Sequence, residues 1–502
     1  MVEVAPQVRV NTATGADIRV RFCPSPTGDP HVGMVRTALF NWAWARHTGG
    51  TFVFRIEDTD VARDSEESYQ ALLDTLTWMG MSWDEGPEVG GPHGPYRQSL
   101  RRELYDDAAS RLRDAGFAYP CYCTTQELEV DRDAAKAAGR TPGYSGRCRA
   151  LIASERADRE HEGRPSVLRF AMPGRDLAWH DLVRGQITFA AQHVPDYVLV
   201  RANGDPLYTL VNPVDDAMMG ITDVLRGEDL LASTPRQIAL HEALAAVGIG
   251  TGVMPRFGHL PYVMGEGNRK LSKRDPESRF WMYVENGYLP EGLTNYLALL
   301  GWSPGDDLEF FSLAQMAAAF EVSRVQPNPA RFDLKKCNAI NSLWIRYLAP
   351  DDLAARLQAF LVRDKVLSEP VPTAAVELVR AGTPLVAERM ETLKQGAAML
   401  TFLFVDQVSV EPESLASVQG EGRVALTAAH AALLPVESWT APEIEAALRA
   451  ALVVGLGLKP KLAFGPVRVA VTGRRVSPPL FESMELLGRA QSLARIAVLL
   501  PA

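Results

Sequence analysis

The hydrophobic positions of the first sixty residues change from strand spacing to helix spacing and back. Residues 18–22 alternate apolar and basic side chains, which predicts a strand. Residues 35–48 carry apolar side chains at helical spacing, and Gly49-Gly50 is expected to end that helix. The β-branched and aromatic residues 51–56 predict the next strand. A strand, a helix and a strand within about forty residues predict a βαβ unit with a parallel strand pair.

A second α/β set begins further along the chain. Residues 197–201 and 206–211 flank Asn203-Gly204, a pair typical of hairpin turns, so both segments are predicted to be strands. Residues 222–226 predict another strand, which is followed by a helix that Ser233 caps. Two α/β sets of this kind favour one sheet whose halves are separated in sequence.

The remaining chain divides into an insertion and a helical half. Residues 96–207 lie roughly between the two α/β sets and are predicted to be an insertion. Apolar residues 257–264 predict a last strand, which runs into a glycine-rich loop at 265–268. Beyond about residue 345 nearly every segment has helical spacing, namely residues 353–361, 376–380, 385–400, 425–433 and 441–453. The predicted fold class is α/β, with an interrupted nucleotide-binding domain and an all-α C-terminal half.

Composition and charge exclude several classes of protein. The 502 residues are 47% hydrophobic and 23% charged, which predicts a globular chain of three or more domains. The net charge of -9 argues against a bulk nucleic-acid coat but permits a local basic surface. Five cysteines are too few, and odd in number, for a disulfide-stapled secreted scaffold. With no signal-peptide pattern and no run of about 20 apolar residues, we expect a soluble cytosolic enzyme.

Two segments are candidates for holding the phosphates of a nucleotide, although the chain has neither a Walker loop nor a GxGxxG pattern. His31 stands where a strand enters a helix, whose free N–H groups and dipole favour a triphosphate. Gly33 would let a flat base approach the backbone. Lys270-Leu271-Ser272-Lys273-Arg274 places cations on a loop, as phosphoryl chemistry requires. Each segment alone could be a structural turn or a solvated basic loop, but both together predict an ATP site.

These two segments resemble the signatures of a known family. His31-Val32-Gly33-Met34 matches the HIGH signature of class I aminoacyl-tRNA synthetases, and the run from Lys270 to Arg274 matches their KMSKS loop. Met34 replaces the second histidine, which the glutamate-handling branch commonly lacks. Further runs resemble the bacterial glutamyl-tRNA synthetase family, namely residues 21–28, 54–60, 214–216 and 224–229. The resemblance covers essentially the whole chain from Ile18 onward.

The resemblance implies an activity, its partners and a domain plan. The family activates L-glutamate with ATP and Mg²⁺, then transfers the glutamyl group to the terminal ribose of tRNA(Glu), and some members also charge tRNA(Gln). A monomer is expected, because the chain has no coiled-coil heptads. The implied plan is a Rossmann-like catalytic domain, an inserted α+β acceptor-binding domain, a KMSKS and stem-contact region and an all-α anticodon-binding half. Their residues are 18–95 with 208–262, 96–207, 263–345 and 346–502.

The resemblance also implies roles for residues around ATP and glutamate. His31 and Lys273 are expected to contact the phosphates with support from Lys270, and Thr27 is expected to join His31 and Gly33 in the nucleotide pocket. Glutamate needs cations for two carboxylates and an acid for its ammonium group, and three candidates stand at predicted strand ends. The glutamate candidates are Arg21, Arg226 and Glu57, to which the family pattern adds Ser25, Tyr208 and Asn212. Tyr208 is also explained as an aromatic side chain on a half-buried hairpin.

Two outlying clusters have two explanations each. Cys121, Cys123 and Cys148 are soft ligands close enough in sequence to hold Zn²⁺, and the resemblance adds Tyr144, but three reduced thiols in a small core fit equally. A basic strip near the C-terminus suits a tRNA backbone, or is a solvated charged face. The strip consists of Lys459, Lys461, Arg468, Arg474 and Arg475.

Three other functions explain part of these sequence features. A small-molecule nucleotidylyltransferase shares the His-x-Gly device but needs neither the insertion nor the helical half. A paralogue that glutamylates a modified tRNA base lacks the helical half. A non-catalytic RNA- or zinc-binding protein leaves the His31 and Lys273 motifs without a purpose. The sequence therefore predicts a glutamate–tRNA ligase.

Overall fold

The computed structural model describes residues 8–60, 63–139, 143–272, 275–305 and 307–500. The chain forms two compact units, which are discontinuous in sequence. The first contains Met1–Phe280 and Thr294–Asp333, and the second contains Trp281–Leu293 and Leu334–Ala502. Among the described helices, none has both the length and the apolar character needed to cross a membrane.

The first unit contains both strands and helices, and the described part of the second unit contains helices. The strands are β1 (Arg19–Phe22), β2 (Thr51–Phe54), β3 (Ala118–Cys121), β4 (Val167–Phe170), β5 (Leu177–Asp181), β6 (Gly185–Phe189), β7 (Tyr197–Val200), β8 (Asp223–Gly227), β9 (Arg256–Leu260), β10 (Val263–Met264) and β11 (Ala330–Arg331). The helices up to residue 319 are α1 (Val32–Thr48), α2 (Glu66–Trp78), α3 (Arg102–Asp114), α4 (Thr125–Ala137), α5 (Ala153–His161), α6 (Tyr208–Met218), α7 (Thr234–Ala246), α8 (Phe280–Glu285), α9 (Pro290–Leu299) and α10 (Leu313–Ala319). The later helices are α11 (Leu334–Tyr347), α12 (Pro350–Arg363), α13 (Thr373–Ala387), α14 (Leu393–Leu400), α15 (Glu421–Leu433), α16 (Ala441–Leu448), α17 (Pro460–Thr472), α18 (Leu480–Leu487) and α19 (Arg489–Val498).

A four-stranded parallel sheet organises the first unit. Its strand order is β2-β1-β8-β9, so the two halves predicted from sequence join between β1 and β8. Every pairing is parallel, and the central strands are buried, as expected when both faces of a sheet are covered. The predicted α/β fold, with one parallel sheet whose halves are separated in sequence, is confirmed.

Helix α1 has the ends that its sequence predicts. The His31 side chain caps the helix, because its Nδ1 accepts a hydrogen bond from the Met34 backbone N–H at 3.2 Å. Gly49 ends the helix in the left-handed conformation, with a φ of 70° that favours glycine. His31 and Gly49 therefore fix the two ends of the helix that connects β1 to β2.

The prediction of a strand over residues 206–211 is wrong. The hairpin turn at Asn203-Gly204 forms, since the Arg201 N–H donates to the Asp205 carbonyl and Val200 bridges to Pro206. The chain then enters α6 at Tyr208 instead of continuing as a strand. Apolar residues at helical spacing explain this, since Leu210, Val211, Val214 and Ala217 are all buried on one helix.

The inserted segment has its own antiparallel sheets. Strands β3, β4 and β7 form one sheet, and β5 pairs with β6 in a separate hairpin. This hairpin joins the parallel sheet, because the Leu182 N–H donates to the Phe257 carbonyl of β9 at 2.8 Å. The insertion is therefore bonded to the parallel sheet at its β9 edge.

The second unit is helical, with a core from the apolar faces of α15 to α19. The single helix predicted over residues 385–400 is wrong, because α13 ends at Ala387 and α14 begins at Leu393. Thr392 provides the new start by accepting a hydrogen bond from the Gln395 N–H. The segment predicted as one helix over 441–453 also changes, from α16 to a π-helix at Arg449–Gly455.

We predict that Gly50→Ala destabilises the first unit by about 1–3 kcal/mol. An added Cβ would overlap the carbonyl oxygen of Ile18, which cannot move freely because it accepts the Thr51 N–H at 2.8 Å. Gly465→Ala is the matched control, because a Cβ there meets nothing within 4 Å inside α17. Denaturant unfolding of both variants measures the difference. An unchanged free energy of unfolding for Gly50→Ala would contradict the close approach.

Candidate active site

A cavity of about 790 Å³ opens at the carboxyl ends of β1, β8 and β9. This is the edge where open parallel sheets bind their ligands. Eight residues predicted from the sequence line it. They are Arg21, Ser25, His31, Gly33, Glu57, Tyr208, Arg226 and Lys270.

Three predicted residues are not among the lining residues. Thr27 lies in the adjoining loop, where its N–H donates to the Ser25 carbonyl. Asn212 is fully buried behind the cavity and donates to Glu57 Oε1 at 2.5 Å. Lys273 lies outside the described residues.

Arg21 is compensated by a buried carboxylate. Its Nε donates to the Asp216 carboxylate at 3.2 Å, and Asp216 also accepts from Arg55 Nη1 at 2.8 Å. Burial alone would raise the pKa of Asp216, but the two guanidinium groups outweigh it and lower that pKa to about 2. Within the described residues, the hydrogen bonds of Arg21 use Nε alone, so both terminal nitrogens remain for a ligand in the cavity.

Arg226 is held differently, by neutral acceptors. Nη1 donates to Gln237 at 2.6 Å, and Nη2 donates to Thr234 at 2.7 Å and to the Leu230 carbonyl. Nε donates to Nε2 of His259 at 3.2 Å. Burial lowers the pKa of the Arg226 guanidinium below its ordinary value, which is the cost of a charge without a carboxylate partner. An anionic ligand would compensate that charge.

Glu57 supplies a carboxylate beside the two arginines. Burial raises the pKa of the Glu57 carboxyl, and Arg55 and the Asn212 amide oppose that shift. Nη2 of Arg55 lies 3.6 Å from Glu57 Oε1. The cavity lining therefore has cationic groups together with the acids Glu57 and Asp229, which suits a ligand that carries both signs of charge.

His31 and Lys270 also line the cavity. Nδ1 of His31 accepts the Met34 N–H, which fixes the ring at the N-terminus of α1. Nζ of Lys270 lies 4.2 Å from the centroid of the Tyr262 ring and 3.9 Å from Asp229 Oδ2. The His31 imidazole and the Lys270 ammonium group make this part of the cavity suitable for phosphate oxygens.

Sequence reasoning missed Arg36, which also lines the cavity. Its terminal nitrogens donate to the carbonyls of Leu300 and Pro261, and it is buried in α1. Burial lowers the pKa of Arg36 to about 10, with Glu228 opposing the shift. The signal in the sequence was the place of this arginine among the apolar, core-facing positions of α1. An arginine is seldom fully buried unless its charged group is paired.

The three thiols of the insertion come together as predicted. The sulfur atoms of Cys121, Cys123 and Cys148 all lie within 4.8 Å of one another. Tyr144 joins them, since its hydroxyl is 3.4 Å from Cys121 Sγ and accepts the Cys148 N–H at 2.8 Å. Tetrahedral zinc thiolates stand about 3.8 Å apart, so these donors fit the ion. The same residues also pack with Tyr119 as a small apolar cluster.

The basic strip of the second unit is partly occupied by internal bonds. Nη1 of Arg468 donates to the Pro478 carbonyl at 2.7 Å, and Arg474 pairs with Glu411 at 3.1 Å. Lys461 and Arg475 instead line a groove of about 540 Å³, together with Arg468. Lys459 precedes α17 at its N-terminus. Lys461 and Arg475 therefore have better access to a polyanion than Arg474 has.

Family models match both parts of the chain. The model for the catalytic domain of class I tRNA synthetases (E and Q) matches residues 17–339. A model for an anticodon binding domain matches residues 352–500. The match to the helical half separates this chain from proteins that share the catalytic motifs alone.

Curated relatives and solved structures extend the similarity over the whole chain. A glutamate–tRNA ligase of Nocardioides sp. is 57% identical over 95% of this chain and 98% of its own length. One of Kineococcus radiotolerans is 58% identical over 95% and 96%. The crystal structure of a glutamate tRNA ligase from Elizabethkingia meningosepticum, in complex with its amino acid, has a TM-score of 0.81 at 31% identity. It covers 96% of this chain and 99% of that one.

Proposed function

The chain belongs to the glutamate–tRNA ligase family of class I tRNA synthetases, and from this premise we propose how its cavity carries out the reaction. The enzyme joins L-glutamate to ATP, then transfers the glutamyl group to tRNA. The observation that carries the proposal is that one cavity is lined by two sets of residues, the first Arg21, Arg226 and Glu57 and the second His31 and Lys270. An amino acid with two carboxylates complements the first set, and a nucleotide with a triphosphate complements the second.

The first set of residues, Arg21, Arg226 and Glu57, holds glutamate in this proposal. Arg21 offers two terminal nitrogens, the geometry for a bidentate carboxylate, and Arg226 offers an uncompensated charge for the other carboxylate. Glu57 accepts the ammonium group, and Asn212 holds Glu57 in place. The hydroxyls of Ser25 and Tyr208 complete the amino-acid site.

The second set of residues holds ATP in this proposal. The His31 ring contacts a phosphate oxygen, Lys270 and Lys273 neutralise the triphosphate, and Gly33 and Thr27 border the nucleotide. Bound Mg²⁺ supplies further charge neutralisation to the phosphates. A carboxylate oxygen of glutamate then attacks the α-phosphorus, pyrophosphate leaves, and the terminal ribose hydroxyl of tRNA takes the glutamyl group from AMP. Positioning and electrostatic stabilisation are sufficient, and no covalent enzyme intermediate is needed.

The remaining segments are proposed to bind tRNA. Residues 96–207 would hold the acceptor end, 263–345 would include the phosphate loop and stem contacts, and 346–502 would bind the anticodon. The catalytic halves are residues 18–95 and 208–262. The strip from Lys459 to Arg475 is proposed to contact the RNA backbone. The enzyme would act as a monomer in the cytoplasm, where its tRNA and ATP are found.

We predict that the full chain charges tRNA(Glu) with labelled glutamate in the presence of ATP and Mg²⁺. His31→Ala should lower the rate by about a hundredfold or more, because one preorganised donor to the reacting phosphates is lost. His180→Ala, which changes an exposed histidine of β5, is the matched control. Charging of tRNA(Gln) in parallel distinguishes a non-discriminating enzyme from a discriminating one. No charging of either tRNA by folded protein would contradict the proposal.

We predict that Arg226→Gln raises the KM for glutamate by about tenfold or more. The variant removes a charge-assisted hydrogen bond without leaving a buried carboxylate unpaired, because the acceptors of Arg226 are neutral. The KM for ATP should stay within about twofold, since Arg226 belongs to the residues proposed to bind glutamate and not to those proposed to bind ATP. Arg175→Gln, on the protein surface, provides the control. Equal changes in both KM values would reject a role specific to glutamate.

We further propose that Cys121, Cys123, Cys148 and Tyr144 hold a structural Zn²⁺. The support is the convergence of three sulfurs and a phenol oxygen with spacing that fits a tetrahedral ion. Bound zinc would tie the start of the insertion, at the end of β3, to the loop that follows α4.

The expected zinc content after dialysis is about one ion per chain. Cys148→Ser should lose the ion, and Cys337→Ser, which changes a buried cysteine outside the cluster, should keep it. Elemental analysis of the three purified proteins gives the answer. A zinc content near zero in the unmodified chain would mean that the thiols are only a packed cluster.

A further inference from the structure

A buried histidine and aspartate lie directly behind Arg226. His259 is the register partner of Arg226 across the parallel pair β8–β9. Its Nε2 accepts from Nε of Arg226 at 3.2 Å, and its Nδ1 lies 2.5 Å from Oδ2 of Asp181. His259 and Asp181 do not line the cavity, and both are essentially inaccessible to solvent. The three side chains form one chain of hydrogen bonds that ends at the cavity.

The hydrogen bonds determine where the proton of His259 lies. Nε of an arginine is always a donor, so Nε2 of His259 must be an unprotonated acceptor. The ring proton is therefore on Nδ1 and is donated to Asp181. Burial lowers the pKa of His259, with Asp181 opposing the shift, which agrees with a neutral ring. A proton on Nε2 would instead face the N–H of Arg226.

Asp181 is in turn fixed by the turn that joins β5 to β6. Its Oδ1 accepts from the backbone N–H groups of Val183, Arg184 and His259, each at 3.1 Å. Burial would raise the pKa of Asp181, but its hydrogen bonds, those from His259 above all, lower it, so the carboxylate is ionised. The carboxylate therefore sets both the tautomer and the direction of the His259 ring.

The same bonds orient the guanidinium. Among the described residues, Arg226 donates its Nε–H to His259, both Nη2 hydrogens to Thr234 and Leu230, and one Nη1 hydrogen to Gln237. One N–H of Nη1 remains for a ligand. We propose that His259 and Asp181 are positioning residues that aim this group of Arg226 at glutamate. The inference rests on the proposed contact between Arg226 and glutamate.

Nε2 of His259 also lies 3.0 Å from the Thr234 hydroxyl oxygen. Two substitutions of His259 separate the hydrogen bonds of Nε2 from the hydrogen bond of Nδ1. His259→Gln places an acceptor where Nε2 stood, so the bond to Arg226 survives and the bond to Asp181 is lost. His259→Asn places a donor where Nδ1 stood, so the bond to Asp181 survives and the bond to Arg226 is lost. In charging assays of the full chain with tRNA(Glu), ATP and Mg²⁺, we expect His259→Asn to raise the KM for glutamate about tenfold or more. His259→Gln should stay within about threefold, and the KM for ATP should be unchanged in both.

Asp181→Asn provides an independent test, because it keeps the shape of the site and changes the group that faces Nδ1 of His259 and, at 3.4 Å, Nε1 of Trp179. An amide can donate to Nδ1 and move the ring proton to Nε2, against Arg226. We therefore expect this variant also to raise the KM for glutamate about tenfold. If His259→Asn does not fold, the comparison of Asp181→Asn with His259→Gln decides the question. His180→Asn and His180→Gln, at the exposed neighbour of Asp181, are the matched controls.

The outcomes that would overturn the inference are distinct from those that would overturn the proposed function. Equal effects of His259→Asn and His259→Gln, or a KM for ATP that rises with the KM for glutamate, would mean that the pair is only structural. If Arg226→Gln raises the KM for glutamate and neither His259→Asn nor Asp181→Asn does, the positioning role is wrong and the proposed function stands. If Arg226→Gln has no effect on that KM, the proposed function of Arg226 itself fails.

Discussion

The catalytic part of this chain depends on the compensation of two buried carboxylates. Asp215 and Asp216 are neighbours in α6, and both are buried, with 0% and 2% of their surface exposed. Asp216 pairs with Arg21 and Arg55, and Asp215 pairs with Arg101 at 2.7 Å. A buried carboxylate that loses its partner costs several kcal/mol. These pairs therefore bind β1, the segment after β2, the start of α3 and α6 into one arrangement, which places the cavity.

The same principle explains why the two cavity arginines differ. The charge of Arg21 is already compensated by Asp216, so it can contribute directed donors at little further cost. The charge of Arg226 is surrounded by neutral acceptors, so the site has an unsatisfied cation before any substrate arrives. Glutamate would supply the missing negative charge. Glutamine has the same shape without that charge, so selection between the two can depend on the desolvation that Arg226 has already undergone.

Much of this arrangement could be predicted from the sequence, because strands, helix ends and short motifs are local signals. Arg21, Glu57 and His31 were found at strand ends and at a helix cap. Helix α6 was missed because the turn at Asn203-Gly204 gave a strong hairpin signal. Its buried Asp215 and Asp216 also look like solvent-exposed positions to any hydrophobicity pattern. The contact between His259 and Arg226 could not be predicted, because it depends on the register of β8 and β9.

The insertion consequently supplies partners for buried polar groups of the catalytic part. Arg101, which compensates Asp215, and Asp181, which holds His259, both come from the segment between the two halves of the parallel sheet. Helix α6 and strand β9 thus contribute a buried acid and a buried imidazole whose partners lie in another part of the sequence. A chain that lacked the insertion would leave Asp215 without Arg101 and His259 without Asp181. The interruption of the fold is therefore a requirement of its own buried charges.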